Sequence, residues 1–223
     1  MRLTSVLRSL AVGCAWLAAV AAAANAQSLG DVISGIELRY NGMATMQSEF
    51  SQEIIHAGSR RLRHVGTVKL LRPQKMRWDY SSPEGQLLIG DGFWLRMYNP
   101  LTNQVSTVEM SPNADMRAPL GFLLGRMRLR RQFRNLRLRA INGEQALIGD
   151  GLTGAELYRD VEFYYSPSDY RLTLVRLTGR DESITEFRFK NEKRNPRLDE
   201  SLFVFEAPAG AEILPESKLG GFK

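Results

Sequence analysis

The spacing of apolar residues changes from a helical to a strand period early in the chain. Between residues 29 and 43, apolar side chains recur at helical spacing, which predicts an amphipathic helix from about Leu29 to Tyr40. From Met46 the period becomes two, and one face of the predicted strand carries Met46, Ser48, Phe50, Gln52 and Ile54. The pattern therefore predicts one helix that leads into a β-sheet.

Strand-like segments then follow one another at short intervals, with turn residues between them. The first series comprises Val65–Leu71, Met76–Tyr80, Gln86–Gly90, Trp94–Tyr98 and Gln104–Met110. After an interruption, a second series lies around Leu136–Ile141, Gln145–Gly149, Val161–Ser166, Tyr170–Leu177 and Ser183–Lys190. Intervals of roughly ten residues favour an antiparallel meander over parallel strands with crossover helices. A sheet of about ten or eleven strands would curl or close under its normal twist.

The interruption between the two series is a short apolar segment. Residues 119 to 125 read Pro-Leu-Gly-Phe-Leu-Leu-Gly, and a helical face would join Met116, Leu120, Leu123 and Met127. Pro119 suits the first turn of a helix, whereas Gly121 and Gly125 weaken it. We expect a marginal helix that needs a surface to dock on.

Residues 1 to 26 have the pattern of an export signal. Two arginines precede an unbroken apolar stretch, and Ala24-Asn25-Ala26 is the small-x-small pattern of a cleavage site. The stretch is shorter than the roughly 20 residues of a membrane-spanning helix. We expect this segment to be removed, and residues 27–223 to form a single domain of a soluble protein in the bacterial cell envelope.

The remaining chain offers few groups of the kind that enzymes and metal sites use. The only cysteine of the sequence, Cys14, lies in the predicted signal and would be removed with it. His56 and His64 lack the spacing of metal ligands. We expect both histidines at exposed hairpin positions. No Gly-x-Ser-x-Gly elbow occurs, although carboxylates that meet only in the fold stay open. The sequence therefore favours neither an enzyme nor a protein with a metal or a cofactor.

One glycine-rich segment matches a nucleotide-binding pattern. Gly149 to Gly154 fits Gly-x-Gly-x-x-Gly, which binds dinucleotides only where a strand feeds a helix. Here a strand period follows, with Val161, Phe163 and Tyr165 alternating. A turn between strands is the better interpretation.

Seven arginines lie between Arg126 and Arg139, with apolar residues interleaved. Such a run suggests nucleic-acid binding, but an exported protein meets little nucleic acid, and Phe133 is the only aromatic residue available for stacking. One remaining interpretation is a helix-then-strand segment with one apolar and one solvated face. The other is docking on an acidic partner or on anionic lipid headgroups, for which the candidates are Arg126, Arg128, Arg130 and Arg131.

Four short motifs occur in a fixed order after the predicted signal. They are Phe50-x-Gln52, Arg72-Pro73 with Trp78 six residues after the arginine, Asp91-Gly92-x-x-Leu95-x-x-Tyr98-x-Pro100, and Phe203-x-Phe205-x-x-Pro208-x-Gly210. In order, in spacing and in their association with an export signal, they resemble the LolA-type outer-membrane lipoprotein carriers. The resemblance covers essentially the whole chain after the signal.

This resemblance implies a mostly β fold with short helices: an unclosed antiparallel β-barrel with a helical lid over an apolar cavity. It also implies a monomeric periplasmic carrier that shelters the acyl chains of lipoproteins. Such a carrier takes its cargo from an inner-membrane lipoprotein-releasing transporter and passes it to an outer-membrane acceptor. The alternative is a periplasmic lipid-binding or envelope-stress sensor module of similar fold.

The resemblance also assigns roles to individual residues. The arginine that controls the lid in the family precedes the proline of the second motif, so Arg72 is the expected lid latch. The set expected to line the cavity and the lid is Phe50, Met76, Trp78, Trp94, Leu95, Tyr98, Leu120, Phe122, Leu123 and Leu124. For the residues of this set on the predicted strands, ordinary core packing is the alternative. Arg96 departs from the family pattern, because relatives often have an aromatic residue there.

Overall fold

The computed structural model describes residues 27–56, 61–110, 127–151 and 158–214. The predicted signal, residues 1–26, lies outside the described residues. So do Leu120, Phe122, Leu123 and Leu124 of the predicted lid, and Arg126 of the arginine run.

The described residues form a mostly β structure. The helices are α1 (Leu29–Asn41), α2 (Leu129–Gln132) and a 3-10 turn at Glu200–Phe203. The strands are β1 (Thr45–Ile55), β2 (Arg61–Leu71), β3 (Lys75–Ser82), β4 (Glu84–Asp91), β5 (Trp94–Asn99), β6 (Gln104–Glu109), β7 (Arg134–Ile141), β8 (Glu144–Asp150), β9 (Tyr158–Tyr165), β10 (Leu172–Gly179), β11 (Ile184–Arg194) and β12 (Glu212–Ile213). None of the described helices is long and apolar enough to cross a bilayer.

All twelve described strands belong to one sheet, in the order β12-β6-β5-β4-β3-β2-β1-β11-β10-β9-β8-β7. Neighbours along β1 to β6 and along β7 to β11 pair antiparallel, and an antiparallel β1–β11 pair joins the two series. The sheet does not close, because β7 and β12 lie at opposite ends of this order. The predicted unclosed antiparallel meander is confirmed. A short parallel pair between β12 and β6 adds a twelfth strand.

One face of the sheet, called here the inner face, packs against α1. Because side chains alternate along a strand, each pairing register decides which residues share this face. Phe50 of β1 pairs with Gly66 of β2, which in turn pairs with Tyr80 of β3. The inner face and α1 form one apolar cluster that includes Phe50, Val68, Trp78, Leu88, Leu147, Phe163, Val175 and Phe187.

Helix α1 forms where the apolar period predicts it. It begins with a capping box in which the Ser28 hydroxyl accepts from the Asp31 amide, while the Asp31 carboxylate accepts from the Ser28 amide. Val32, Ile33 and Ile36 are buried against the sheet. The helix therefore lies across the inner face as a cover.

The C-terminal segment crosses the opposite, outer face. Arg77 donates a hydrogen bond of 3.0 Å to the Leu202 carbonyl, and Phe203 is buried there. The Asn103 side chain donates a hydrogen bond of 2.8 Å from Nδ2 to the Gly210 carbonyl, just before β12 pairs with β6. The terminal motif that begins at Phe203 therefore lies on the outer side of the wall.

Candidate functional site

An aromatic group lies at the centre of the inner face. The Phe50 ring contacts Trp78 and Tyr80 edge-on, at centroid distances of 4.8 Å and 5.2 Å. Trp78 in turn contacts Phe187 at 5.5 Å, which joins the two series of strands. Gly66 leaves room for this group, because a Cβ there would lie 2.9 Å from the Phe50 ring and 2.0 Å from the Asp79 carbonyl oxygen.

Four of the residues predicted for the cavity lie on this face and are almost fully buried: Phe50, Met76, Trp78 and Leu95. On β5, Leu95 pairs with Gly90 and Met97 pairs with Leu88, both of which face inward.

Trp94 and Tyr98 alternate with Leu95 along β5, so they lie on the outer face. The Tyr98 hydroxyl donates 3.0 Å to the Asn103 side chain there. The expectation that these two aromatic residues line the cavity is corrected by the strand register. Arg96 shares their face and forms an ion pair of 2.6 Å with Asp91, so its departure from the family pattern does not alter the inner lining.

Arg72, the predicted lid latch, lies in the turn between β2 and β3. Its backbone amide donates 2.9 Å to the Ala44 carbonyl. The side chain is half-buried, and burial lowers the pKa of its guanidinium. It lines a small cavity where α1 meets β1, together with Tyr40, Met43, Ala44, Thr45, Met46 and Leu70.

The C-terminal end of α1 is fixed to the sheet by buried polar groups. Arg39 forms ion pairs with Glu192 of β11 and with Asp169 of the β9–β10 turn. The Tyr40 hydroxyl donates 3.0 Å to Glu192 and accepts 2.9 Å from the Leu172 amide. Burial and the Glu192 charge raise the pKa of Tyr40, so the hydroxyl stays protonated and can donate.

Residues 127–133 form a second cover beside α1. The Asn41 side chain donates 2.9 Å to the Met127 carbonyl and accepts 2.7 Å from the Met127 amide. The Leu129 amide donates 2.7 Å to Glu37. Phe133 contacts Phe163 edge-on at 5.3 Å. The second cover thus bonds to α1 through backbone groups and packs on the sheet through apolar side chains.

The inner face also contains buried polar atoms that sequence reasoning missed. Gln52 Nε2, Trp78 Nε1 and His64 Nδ1 have no hydrogen-bond partner in the part of the chain that the structure describes. His64 lies mid-strand and pairs with Gln52, which corrects the expectation of an exposed hairpin position. Burial lowers the pKa of His64, so its imidazole is neutral near pH 7. The sequence signal for these buried polar atoms was the alternating pattern of β1, which places Gln52 on the same face as the apolar residues.

From Arg128 onward, the arginine run adopts the helix-then-strand arrangement. Leu129 and Phe133 are buried, whereas Arg128, Arg130 and Arg131 are exposed on α2 and at its N-terminal cap. These three arginines therefore form a solvated basic turn at the edge of the second cover. Among the described residues there is no group of three or more His, Cys, Asp or Glu side chains that could hold a metal ion.

The chain is similar to known proteins over most of its length. The family model described as outer membrane lipoprotein carrier protein LolA matches residues 41–206. An outer-membrane lipoprotein carrier protein of Dechloromonas aromatica is 30% identical over 173 residues, which cover 77% of this chain and 82% of the relative. One of Methylobacillus flagellatus is 27% identical over 197 residues, covering 83% and 90%.

A solved structure of an uncharacterized conserved protein from Thermus thermophilus has a similar fold. Its TM-score is 0.50 at 15% identity, and the match covers 84% of this chain and 99% of that one.

Proposed function

The chain belongs to the LolA family of outer membrane lipoprotein carrier proteins, and we propose that it carries lipoproteins with their acyl chains held against the inner face of its sheet. The observation that carries this proposal is a continuous apolar face on an unclosed sheet, with covers that are separate elements. Because the relatives that match most of the chain are named as carriers, a sensor or general lipid-binding module is not favoured.

The energetics of acyl burial fit a carrier that must also release its cargo. Each CH₂ group removed from water contributes ~0.8 kcal/mol, so one long acyl chain offers on the order of 10 kcal/mol in total. Much of that gain is offset when cargo displaces apolar side chains that already cover the face. Met127, Leu129 and Phe133 are such side chains, and their contacts are the ones that an acyl chain would replace.

The cell-level part of the proposal rests on the family resemblance and on the predicted export signal. The chain acts as a monomer in the periplasm after removal of residues 1–26. It receives lipoproteins from an inner-membrane transporter and passes them to an outer-membrane acceptor. It acts as a carrier and catalyses no reaction.

Binding of a synthetic lipopeptide tests the central claim. The probe is a fluorescent peptide with a diacylglyceryl-cysteine at its N-terminus, and the same peptide without acyl chains is the control. We expect the chain spanning residues 27–223 to bind the acylated probe alone. Equal binding of both peptides would refute the carrier proposal.

A pair of variants on opposite faces locates the site. Leu95→Gln places an amide on the inner face, whereas Thr107→Gln places it on the outer face. We expect Leu95→Gln to weaken lipopeptide binding roughly tenfold, since ~1.4 kcal/mol corresponds to that factor. Thr107→Gln should bind like the parent protein. Circular dichroism checks that both variants are folded.

Arg72 is the latch of this proposal, supported by its half-buried position beside the end of α1. Replacing it with leucine keeps the apolar stem and removes the groups that can bind backbone carbonyls. We expect Arg72→Leu to change the rate of lipopeptide uptake or release. Unchanged rates for both steps would exclude a latch.

Arg128, Arg130 and Arg131 are the docking residues of the proposal, and their exposure supports it. Steering by exposed charges depends on their sign and weakens with salt. Charge reversal at Arg130 and Arg131 should slow transfer of lipopeptide to acceptor membranes without changing its affinity. Charge reversal at the exposed Arg61 and Arg63 of β2 is the matched control.

A further inference from the structure

The inner face contains a place where an apolar ligand would meet unpaired polar atoms. Gln52 is only 1% exposed, and its Nε2 has no hydrogen-bond partner among the residues that the structure describes. Trp78 is also 1% exposed, and its Nε1 likewise has no hydrogen-bond partner among the described residues. Native proteins pair the great majority of buried polar side-chain atoms, so each such exception calls for an explanation. A ligand that supplies a hydrogen-bond acceptor to these donors would explain both unpaired atoms.

These atoms lie on the same wall, in rows that are separated by the row of Phe50, Gly66 and Tyr80. Gln52 pairs across β1–β2 with His64 and across β1–β11 with Phe187. The Tyr80 hydroxyl donates 3.3 Å to Gln52 Oε1, and Tyr80 also contacts His64 edge-on at 5.8 Å. Trp78 contacts Phe187 at 5.5 Å. The polar atoms are therefore distributed around one aromatic group.

The orientation of Gln52 follows from Tyr80. Burial raises the pKa of Tyr80, so its hydroxyl keeps its proton and donates to Gln52 Oε1. The Gln52 amide then presents Nε2 as its remaining donor. Trp78 Nε1 is a donor only, because an indole has no acceptor. The site therefore offers at least two N–H donors and calls for an acceptor.

The chemistry of the surroundings excludes most acceptors. His64 faces the site in its neutral form, and Lys69, Arg77 and Arg63 lie on the outward positions of their strands, away from it. Among the described residues of β1, β2 and β3, no countercharge faces the site, so a carboxylate or phosphate would be desolvated there, which is strongly unfavourable. A neutral carbonyl oxygen accepts hydrogen bonds without that penalty. Acyl chains are joined to lipid anchors through such carbonyls, as esters or amides.

We propose that Gln52 Nε2 and Trp78 Nε1 form a polar subsite in the apolar wall, in which each donor binds a carbonyl oxygen of an acyl ester or amide in the lipid anchor of the cargo. The subsite rests on the proposed carrier function and adds to it a way to distinguish acylated cargo from plain hydrocarbon. A carbonyl that enters the apolar space loses its hydrogen bonds to water, and these donors replace them.

A comparison of two lipopeptides tests the subsite. One carries ester-linked acyl chains, and the other carries ether-linked alkyl chains of equal length, which lack the carbonyl oxygens. We expect the parent protein to bind the ester-linked probe about tenfold more tightly, which corresponds to ~1.4 kcal/mol. Tight binding of both probes with equal affinity would overturn the subsite and leave the carrier function standing. Binding of neither probe would overturn the carrier function, and the subsite with it.

Variants assign the preference to residues. Gln52→Met keeps a similar shape and removes the donor. The ratio of the affinities for the ester-linked and the ether-linked probe should therefore fall toward one, while the ether-linked probe binds as tightly as before. Trp78→Phe should reduce the preference in the same way, and it serves if Gln52→Met does not fold. Ser48→Ala is the matched control. Ser48 lies on the same face of β1 and is equally buried, but its hydroxyl already donates 2.7 Å to the Lys190 carbonyl. A preference unchanged in both test variants, or lost equally in Ser48→Ala, would overturn the assignment.

Discussion

The two covers of the inner face are attached in different ways. Helix α1 is held at its C-terminal end by charged groups that reach the sheet, with Arg39 paired to Glu192 and Asp169. Residues 127–133 instead form polar contacts with α1, through Asn41 and Glu37. The contacts of this second cover with the sheet are apolar, as between Phe133 and Phe163.

This difference indicates which cover yields first when cargo enters. Displacing α1 would leave a buried carboxylate and a buried guanidinium without their ion-pair partners. Displacing residues 127–133 breaks only hydrogen bonds in which at most one partner is charged, and water can replace these bonds. Acyl chains can compensate for lost apolar contacts but not for lost ion pairs. We therefore expect α1 to behave as part of the wall, and residues 127–133 to behave as the exchangeable cover.

Removal of Glu192 should have the largest effect on the attachment of α1. Its side chain is 3% exposed and accepts from both Arg39, which is 10% exposed, and Tyr40. Glu192→Ala leaves the guanidinium buried with only the Asp169 ion pair, so we expect a loss of about 3 kcal/mol in the free energy of unfolding. Urea denaturation measures this loss.

Glu200→Ala is the matched control for Glu192. Glu200 pairs with Lys75 at 2.7 Å, but its side chain is 76% exposed. An exposed pair contributes little, so we expect a change of about 0.5 kcal/mol or less. Equal changes in the two variants would show that the anchor of α1 has no special strength.

Gly35 provides a second, smaller way to loosen α1. In the middle of a helix, alanine is normally more stable than glycine by roughly 1 kcal/mol. Here a Cβ would lie 2.6 Å from three atoms of the Tyr170 ring, so the ring would have to move. We expect Gly35→Ala to lower the free energy of unfolding by about 2 kcal/mol, as overpacking does. A stabilised Gly35→Ala variant would mean that α1 is not pressed against this ring.

The helix and the strands could be predicted from the sequence, whereas the faces on which some residues lie could not. Helix α1 and most strands follow directly from apolar spacing, because each element needs only local information. The face on which a residue of β5 lies depends on its pairing with β4, which is why Leu95 was separated from Trp94 and Tyr98 only by the structure. Arg96 lies on the same side of the strand as both aromatic residues, and because a charged residue favours the solvent side, it was a signal that all three share the outer face.

Long-range polar contacts were equally beyond sequence reasoning. Arg39 and Glu192 are separated by 153 positions, and no local pattern links them. The unpaired state of Gln52 Nε2 depends on what surrounds it in three dimensions. Both features arise from packing between distant segments, which composition and period do not encode.

Asn41→Ala should loosen the second cover without disturbing the first. The variant leaves the buried amide and carbonyl of Met127 without their partner, which costs about 1–2 kcal/mol. We expect hydrogen exchange at the Met127 amide to accelerate, while amides within α1 such as Ile36 keep their protection. Lipopeptide uptake should also become faster. Equal acceleration at Met127 and Ile36 would mean that the two covers open together.

Acidification should give the smallest effect on α1, the first cover. Burial alone would raise the pKa of Asp169, but hydrogen bonds from Ser166 and the Arg171 amide, with the charge of Arg39, lower it below its usual value. A lowered pKa means that the carboxylate stabilises the fold above its unfolded pKa of about 3.9, and that this contribution is lost as the pH falls through the lower folded value.

The Asp169→Asn variant removes this titration. Its free energy of unfolding should lie slightly below that of the parent at pH 7. The difference should shrink below about pH 4, where Asp169 takes up a proton first in the unfolded chain and then, at lower pH, in the folded protein. The effect is small because the Asp169 side chain is 43% exposed, and water screens its pairing with Arg39. A difference that stayed constant down to pH 2 would assign the role of Asp169 to hydrogen bonding alone, and the anchor of α1 to the Arg39–Glu192 pair.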